Sequence, residues 1–225
     1  MDHILDRAVW HSLTGRQREF GRGGDLAKGF VTEVAAFVDT PDDSAESQAA
    51  LAELVPEHGF SYWLTIGEKP PPSGTFIEKQ RIAVQMVAGA FDPAERFEEI
   101  VPLGPADVPD MVALATLTEP GPFFARTHEM AQFWGIKRDG RLAAMAGERL
   151  KPAHYTEVSA VCTHPDFRGA GYAAELSKWV MALIAARGEI PFLHCYADNG
   201  GAVRLYEKLG FTIRAHIHVN VLRRA

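Results

Sequence analysis

The sequence predicts a mixed α/β protein in which an antiparallel hairpin precedes alternating strands and helices. An Arg-Asp-Gly turn at 138–140 separates two apolar runs, as in a β-hairpin. Helical patterns at 171–186 and 199–210 then alternate with short apolar segments that have the character of strands. These patterns lie within residues 98–225, so we expect that range to form the main domain and residues 1–97 to form a smaller partner domain.

Composition and charge narrow the class of protein. The chain has 225 residues, of which 47% are hydrophobic and 23% charged, which is typical of a folded globular protein. Its net charge of -6 gives no basic field for nucleic acid or an anionic membrane, so we expect neither partner. The sequence shows no signal peptide and no transmembrane run, which predicts a cytoplasmic protein.

The first half carries weaker patterns. Residues 25–40 have apolar positions at roughly helical spacing, and 44–54 predict a second helix. Residues 60–67 have the pattern of a strand, and 68–74 form a proline-rich connection that cannot lie inside a helix. No catalytic motif stands out in this half.

The second half begins with a short strand and a helix at about 108–117. It continues with the hairpin, a strand at 154–162, a helix from near Gly171 to about Ala186 and a strand at 191–197. A short helix at 199–210 and a closing pair of strands within 211–224 complete the prediction. In the longer helix, Leu176, Val180 and Leu183 mark the buried stripe.

Two cysteines, Cys162 and Cys195, both lie in apolar strand segments. Neither has an activating base beside it in the sequence, so we expect buried, reduced thiols. The histidines show no metal-ligand spacing, and no metal site is predicted.

The segment between the strand and the longer helix has the composition of an anion-binding loop. It reads Arg168, Gly169, Ala170, Gly171, Tyr172, Ala173. A helix start presents unpaired N–H groups and a partial positive charge, and glycines let a phosphate approach the backbone closely. A plain tight turn is the alternative. A Walker loop would need Lys-Ser/Thr where Tyr172 and Ala173 stand, and a dinucleotide fingerprint lacks a suitably placed acidic residue.

The helix at 199–210 presents three residues to one face. Asn199 is a favoured N-cap, and Tyr206 follows seven residues later, nearly two helical turns. Ala202 between them keeps the face low enough for a ligand to pass. A cap with a packing tyrosine is the structural alternative.

Together these motifs resemble the GNAT superfamily of acyl-CoA-dependent N-acyltransferases. The loop pattern Gln/Arg-x-x-Gly-x-Gly/Ala is matched by Arg168, Gly171 and Ala173; Asn199, Ala202 and Tyr206 follow, and the segment ends in Tyr-Glu-Lys-Leu-Gly-Phe. The C-terminal half is similar to the subgroup named after the fruit-fly FR47 protein. The resemblance implies a GNAT fold with a mixed, mostly antiparallel sheet splayed between two strands. It also implies that the smaller N-terminal domain is a degenerate GNAT-like unit.

The resemblance implies acetyl-CoA as co-substrate, no metal, and an amine acceptor. The pantetheine arm is expected to bind Val161, Cys162 and Thr163, with the pyrophosphate on the amides from Gly169 to Ala173. The expected cofactor-binding residues are Val161, Cys162, Thr163, Arg168, Gly169, Ala170, Gly171, Tyr172, Ala173, Asn199, Ala202 and Tyr206.

For catalysis, the resemblance assigns Tyr206 as proton donor to the departing sulfur, and a backbone N–H near Val161 as the oxyanion contact. Glu157 is expected to be the general base, with an ion pair to Arg149 or Lys151 as its structural alternative and Glu148 as the alternative carboxylate. Arg126 could hold a substrate carboxylate. The resulting expectation is an N-acetyltransferase; a non-catalytic acyl-CoA sensor, or transfer of another acyl group to an amino acid, are the alternatives. A homodimer paired through the C-terminal strand is also open.

Overall fold

The computed structural model describes residues 3–91 and 98–225, and its strands and helices can be given by their bounds. The strands are β1 (Gly21–Gly23), β2 (Lys28–Phe30), β3 (Phe37–Asp39), β4 (Ser61–Ile66), β5 (Thr75–Ala88), β6 (Ile100–Leu103), β7 (Phe133–Arg138), β8 (Arg141–Glu148), β9 (Tyr155–Thr163), β10 (Ile190–Tyr196) and β11 (Phe211–Arg224). The α-helices are α1 (Ala8–Leu13), α2 (Ala45–Leu54), α3 (Val108–Thr118), α4 (Tyr172–Ala186) and α5 (Gly200–Lys208).

The described strands form one mixed, mostly antiparallel sheet in the order β1-β2-β3-β4-β11-β5-β10-β9-β8-β7-β6. This confirms the predicted α/β class. Strand β5, from the first half of the chain, lies between β10 and β11 and pairs antiparallel with both. The two halves therefore share one continuous sheet, and the proposed division between residues 97 and 98 borders residues 92–97, which lie outside the described range.

The sheet opens between β9 and β10. The two strands run parallel and pair only from Tyr155 to Glu157 on β9, among the residues described. Beyond that point β9 continues to Thr163 beside β8, with a bulge where Ala160 takes a left-handed φ of 52°. The separation of the two strands exposes backbone and side chains of both to a cavity.

Helix α4 packs its apolar stripe onto the sheet. Leu176, Val180, Met181 and Ile184 are at most 1% exposed, and each such burial contributes about 1.5–3 kcal/mol. The stripe continues from Val180 to Ile184, four residues later, and not to the predicted Leu183. Leu183 is only half-buried. This packing fixes the start of α4 next to the opening between β9 and β10.

Several predicted elements differ from the structure. Residues 25–40 form strands β2 and β3 rather than a helix, because the run from Val34 to Val38 is buried on all sides and carries no helical face. The closing pair of strands is a single strand, β11, with a bulge at Arg214. Since β11 lies between β4 and β5, the C-terminal strand is no free edge for dimer pairing. The described helices include none with the length and apolar character needed to cross a bilayer.

Candidate functional site

A cavity of about 610 Å³ lies where β9 and β10 separate. One part is lined by the end of β9, the loop before α4 and the start of α5, all from the second half of the chain. The opposite part is lined by strands of both halves and by the loop after α3: Phe37, Tyr62, Leu64, Ala83, Glu119, Pro120, Gly121, Pro122, Arg149, His194, Tyr196 and Val219. We call these the loop side and the aromatic side of the cavity.

The glycine loop adopts a backbone conformation that favours glycine at two positions. Gly169 and Gly171 both have φ of 84°, a region that glycine favours, and a Cβ built on either would meet no atom within 4 Å. The loop surface is therefore open. Helix α4 begins at Tyr172 with Gly171 as N-cap, and no side chain caps it.

The amides at this helix start are available to a ligand. Among the described residues, the N–H groups of Gly171, Tyr172 and Ala173 donate no hydrogen bond to protein atoms. The exposed Arg168 side chain lies beside these amides and forms no ion pair with any described residue. Free amides, the helix dipole and a guanidinium together form a site suited to a diphosphate. Ala170 is exposed at the loop tip.

Tyr172 has a different environment from its neighbours in the loop. Its hydroxyl accepts a hydrogen bond from Arg138 Nε at 2.9 Å, and the Arg138 guanidinium lies 5.1 Å from the ring centroid. These contacts tie the helix start to the β7–β8 hairpin. Tyr172 also lines the cavity.

The end of β9 lines the cavity through Val161, Cys162 and Thr163. The Thr163 Oγ1 is buried and has no hydrogen-bond partner among the described residues. Burial raises the pKa of the Cys162 thiol to about 12, although hydrogen bonds from Thr118 and Met145 oppose the shift. Cys162 and Cys195 are both free and buried, as predicted.

Helix α5 presents its predicted face to the same cavity. Asn199 Oδ1 accepts a hydrogen bond from the Ala202 amide at 3.1 Å and caps the helix, and Asn199, Ala202 and Tyr206 all line the cavity. Tyr206 is 9% exposed. Burial, with smaller contributions from the nearby Cys195 and Cys162, raises the pKa of its phenol, so the hydroxyl stays protonated and can donate a proton.

Glu157 is fully buried, and its carboxylate is saturated with hydrogen bonds. Arg149 donates to it in bidentate fashion, from Nε at 2.9 Å and from Nη2 at 2.6 Å. The Leu150 amide donates to Oε2 at 3.2 Å, and His194 Nδ1 lies 2.7 Å from Oε1. Burial alone would raise the pKa of Glu157, but Arg149 and His194 outweigh it and hold the pKa well below its usual range.

This arrangement realises the structural alternative, an ion pair with Arg149, and weighs against Glu157 as the general base. A base needs a free lone pair and a pKa near the working pH, and Glu157 has neither. Its role in catalysis stays an untested prediction. Glu148 binds Arg187 at 2.7 Å and Lys151 at 2.9 Å and does not line the cavity.

His194 is a cavity residue that sequence reasoning missed. Gln85 Nε2 lies 3.0 Å from His194 Nε2 and donates to the Leu5 carbonyl at 2.9 Å, while Gln85 Oε1 accepts from Arg214 Nε. Because Leu5 and Arg214 fix the orientation of the Gln85 amide, Nε2 of His194 must be the acceptor. The other ring nitrogen, Nδ1, therefore carries the N–H that faces Glu157.

Two further expectations concern Arg126 and metal binding. Arg126 forms a bidentate pair with Glu129 on the surface, with both hydrogen bonds at 2.8 Å, and does not line the cavity. In the ranges 3–91 and 98–225, no group of three or more potential metal-ligating side chains is arranged around a common point.

Comparisons with known proteins identify a family model and a similar protein of solved structure. Residues 133–219 match the family model of FR47-like proteins. The chain is 41% identical, over the whole length of both chains and with a TM-score of 0.93, to a GNAT-family protein from Novosphingobium aromaticivorans described as a candidate acetyltransferase. No protein of the curated set matches the chain.

More distant structures share the fold. A GCN5-related N-acetyltransferase from Kribbella flavida is 18% identical over 95% of both chains, with a TM-score of 0.63. A Drosophila protein is 14% identical over 90% of this chain and 72% of its own, with a TM-score of 0.60.

Proposed function

Since the chain belongs to the GNAT acetyltransferase family, we propose that it transfers an acetyl group from acetyl-CoA to a primary amine of a small molecule or protein. The observation that carries the proposal is the loop side of the cavity. There the start of α4, two glycines with φ of 84° and Arg168, which has no ion-pair partner among the described residues, surround one open space.

Acetyl-CoA fits the residues present on the loop side. The amides of Gly171, Tyr172 and Ala173, with Arg168, would hold the diphosphate. The backbone of Val161, Cys162 and Thr163 would hold the pantetheine arm, which passes over Ala202. When bound, the co-substrate supplies the activated acetyl thioester.

Tyr206 is the proposed proton donor. Its buried phenol lines the cavity and stays protonated at neutral pH, so it can deliver a proton to the sulfur as the carbon–sulfur bond breaks. The phenolate that remains takes up the proton that the attacking nitrogen loses. The net reaction leaves an amide and a free thiol.

The bulge in β9 supports a backbone oxyanion contact. Ala160 takes a left-handed conformation at that point, which interrupts the regular pairing of β9 with β8 just before Val161. The Val161 N–H is the proposed donor to the acetyl oxygen as negative charge develops there.

The proposal assigns no direct proton transfer to Glu157, since its carboxylate is occupied on every side. Glu157 instead holds Arg149 and His194 in place. The amine reacts as its free base and loses its first proton to solvent at the mouth of the cavity.

Replacement of Tyr206 by Phe tests the mechanism. We expect kcat to fall by roughly 10²-fold or more while acetyl-CoA affinity stays nearly unchanged, because the hydroxyl acts in the chemical step. Tyr155→Phe is the matched control, since Tyr155 lies outside the cavity. Thiol release followed with several primary amines is the assay, and unaltered turnover in Y206F removes Tyr206 from the mechanism.

The saturated Glu157 favours one second candidate, an acyl-CoA sensor without turnover. Calorimetric binding of acetyl-CoA, with no transfer to any amine and an intact Tyr206, would support it. Transfer of a longer acyl group is separated from acetyl transfer by the same thiol-release assay run with a series of acyl-CoAs.

A further inference from the structure

Arg149 lines the aromatic side of the cavity, and one nitrogen of its guanidinium, Nη1, has no acceptor among the described residues. Its Nε and Nη2 donate to Glu157, and within the described part of the chain Nη1 donates to none. The Nη1 atom lies 3.6 Å from where a Cβ on Gly121 would stand, so it points at the loop that lines this side. The side chain is 11% exposed, and Arg149 lines the cavity.

The guanidinium is held rigidly. Glu157 fixes two of its nitrogens, and the Phe37 ring packs under it with its centroid 4.9 Å from Cζ. Glu157 is fixed in turn by His194, whose other ring nitrogen contacts Gln85 from the first half of the chain. Nη1 is thus a preorganised pair of N–H donors at a set position.

The surroundings of Nη1 are those of a recognition site. Phe37, Tyr62, Leu64, Tyr196 and Val219 provide apolar and aromatic surface around it. Apolar pockets with a few fixed polar groups bind small organic molecules, and the polar groups set orientation and specificity. A buried ion pair adds little net stability by itself, so packing alone does not account for Arg149 and Glu157 in this wall.

We propose that Arg149 binds a hydrogen-bond-accepting oxygen, of a carboxylate or a carboxamide, on an acceptor amine whose side chain is aromatic or aliphatic. The inference rests on the proposed function and deepens it: the substrate class is an apolar amino acid or its amide, rather than a simple alkylamine. Glu119 also lines this side of the cavity, and its side chain is exposed. Its carboxylate attracts the ammonium form of such an amine.

Three acceptors that differ only at this oxygen test the proposal. Phenylalanine carries a carboxylate, phenylalaninamide a carboxamide and 2-phenylethylamine neither, and kcat/KM is measured for each per concentration of free-base amine. We expect phenylalanine or its amide to exceed 2-phenylethylamine by roughly 10- to 100-fold, the effect of a hydrogen bond to a charged group. The better of the two identifies the source of the oxygen.

Arg149→Lys supplies the second arm, because a lysine keeps the charge beside Glu157 but loses the planar fork that leaves Nη1 free. We expect the ratio between the oxygen-bearing acceptor and 2-phenylethylamine to drop at least about tenfold. This ratio is taken within one preparation, so partial unfolding cancels. Arg126→Lys, outside the cavity, is the matched control and should keep the wild-type ratio.

The proposal is overturned if 2-phenylethylamine is as good a substrate as the other two, or if R149K keeps the wild-type ratio. It is also overturned if none of the three is acetylated while unrelated amines are, an outcome that leaves the proposed function standing. Failure of the proposed function has a separate signature, the absence of both acetyl-CoA binding and turnover with any amine. If R149K does not fold, the wild-type ratios alone decide.

Discussion

Replacing Glu157 by Gln tests whether the carboxylate is a structural anchor. The substitution keeps the shape but removes the charge and introduces an NH₂ group. That group must face either Arg149 Nη2 and His194, or Arg149 Nε and the Leu150 amide, all of which are donors. In either orientation a buried guanidinium loses its counter-charge, which costs about 3–5 kcal/mol. For a chain of this length we expect Tm to fall by roughly 6–20 °C at pH 7.

The pH dependence of this effect follows from the lowered pKa of Glu157. Burial raises that pKa, but Arg149 and His194 lower it further, so the folded-state value lies below the ordinary 4.5. The group therefore contributes stability above pH about 4.5, and this stability is lost as the pH falls toward the folded-state pKa. The difference between wild type and E157Q should be full at pH 7 and shrink below pH 4.5.

Urea denaturation at a series of pH values measures both effects, with midpoints converted to free energies of unfolding. Glu57→Gln is the matched control, since Glu57 is exposed and makes no ion pair among the described residues. A loss below about 1 kcal/mol at pH 7 would refute the reasoning. So would a loss that is the same at pH 7 and pH 4.

Three further predictions concern the loop side. Gly171→Ala should cost about 1–2 kcal/mol of stability, because φ at this position is 84°, and should weaken acetyl-CoA binding, because the new Cβ would occupy the open space beside the loop. Thermal unfolding measures the first effect and calorimetry the second. An unchanged Tm would contradict the predicted backbone strain. Asn199→Ala should cost about 1 kcal/mol in urea denaturation through loss of the cap on Ala202. Burial raises the thiol pKa of Cys162 to about 12 and of Cys195 to about 11, so alkylation by iodoacetamide at pH 8 should be on the order of a hundredfold or more slower than for free cysteine; rapid native-state labelling would contradict this.

Sequence patterns predicted the elements whose signals are local. Helix α4, the β7–β8 hairpin and the capped helix α5 each carry a turn, a cap or a clear apolar period within a few residues. The same local chemistry located the loop side of the cavity. Gly171 and Asn199 are at positions where the backbone or the cap requires those residue types.

Elements that depend on distant contacts were missed. Strand β5 is exposed in its first part and continuously buried from Ala83 to Met86, so it shows no alternation. Strand β11 was divided in two although it contains no glycine or proline, and its Asn220 side chain is buried and donates to the Trp63 carbonyl. Neither environment is visible before the strand order is known.

The aromatic side of the cavity depends on register. His194 meets Gln85 because β10 and β5 pair those two residues directly, across 109 positions of sequence. The Glu157–Arg149 pair was among the alternatives that the sequence left open, but the saturation of the carboxylate by His194 and Leu150 required the structure. Residues that act through long-range partners are therefore the ones that a single sequence conceals.

The claim on which the account depends is that the amides at the start of α4 bind a diphosphate. Calorimetric titration of the wild-type protein with acetyl-CoA and with S-acetylpantetheine, which lacks the diphosphate and nucleotide, tests it most directly. The account predicts one-to-one binding of acetyl-CoA and binding of S-acetylpantetheine that is weaker by roughly 100-fold or more. Equal affinity for the two compounds, or no binding of acetyl-CoA, would contradict it.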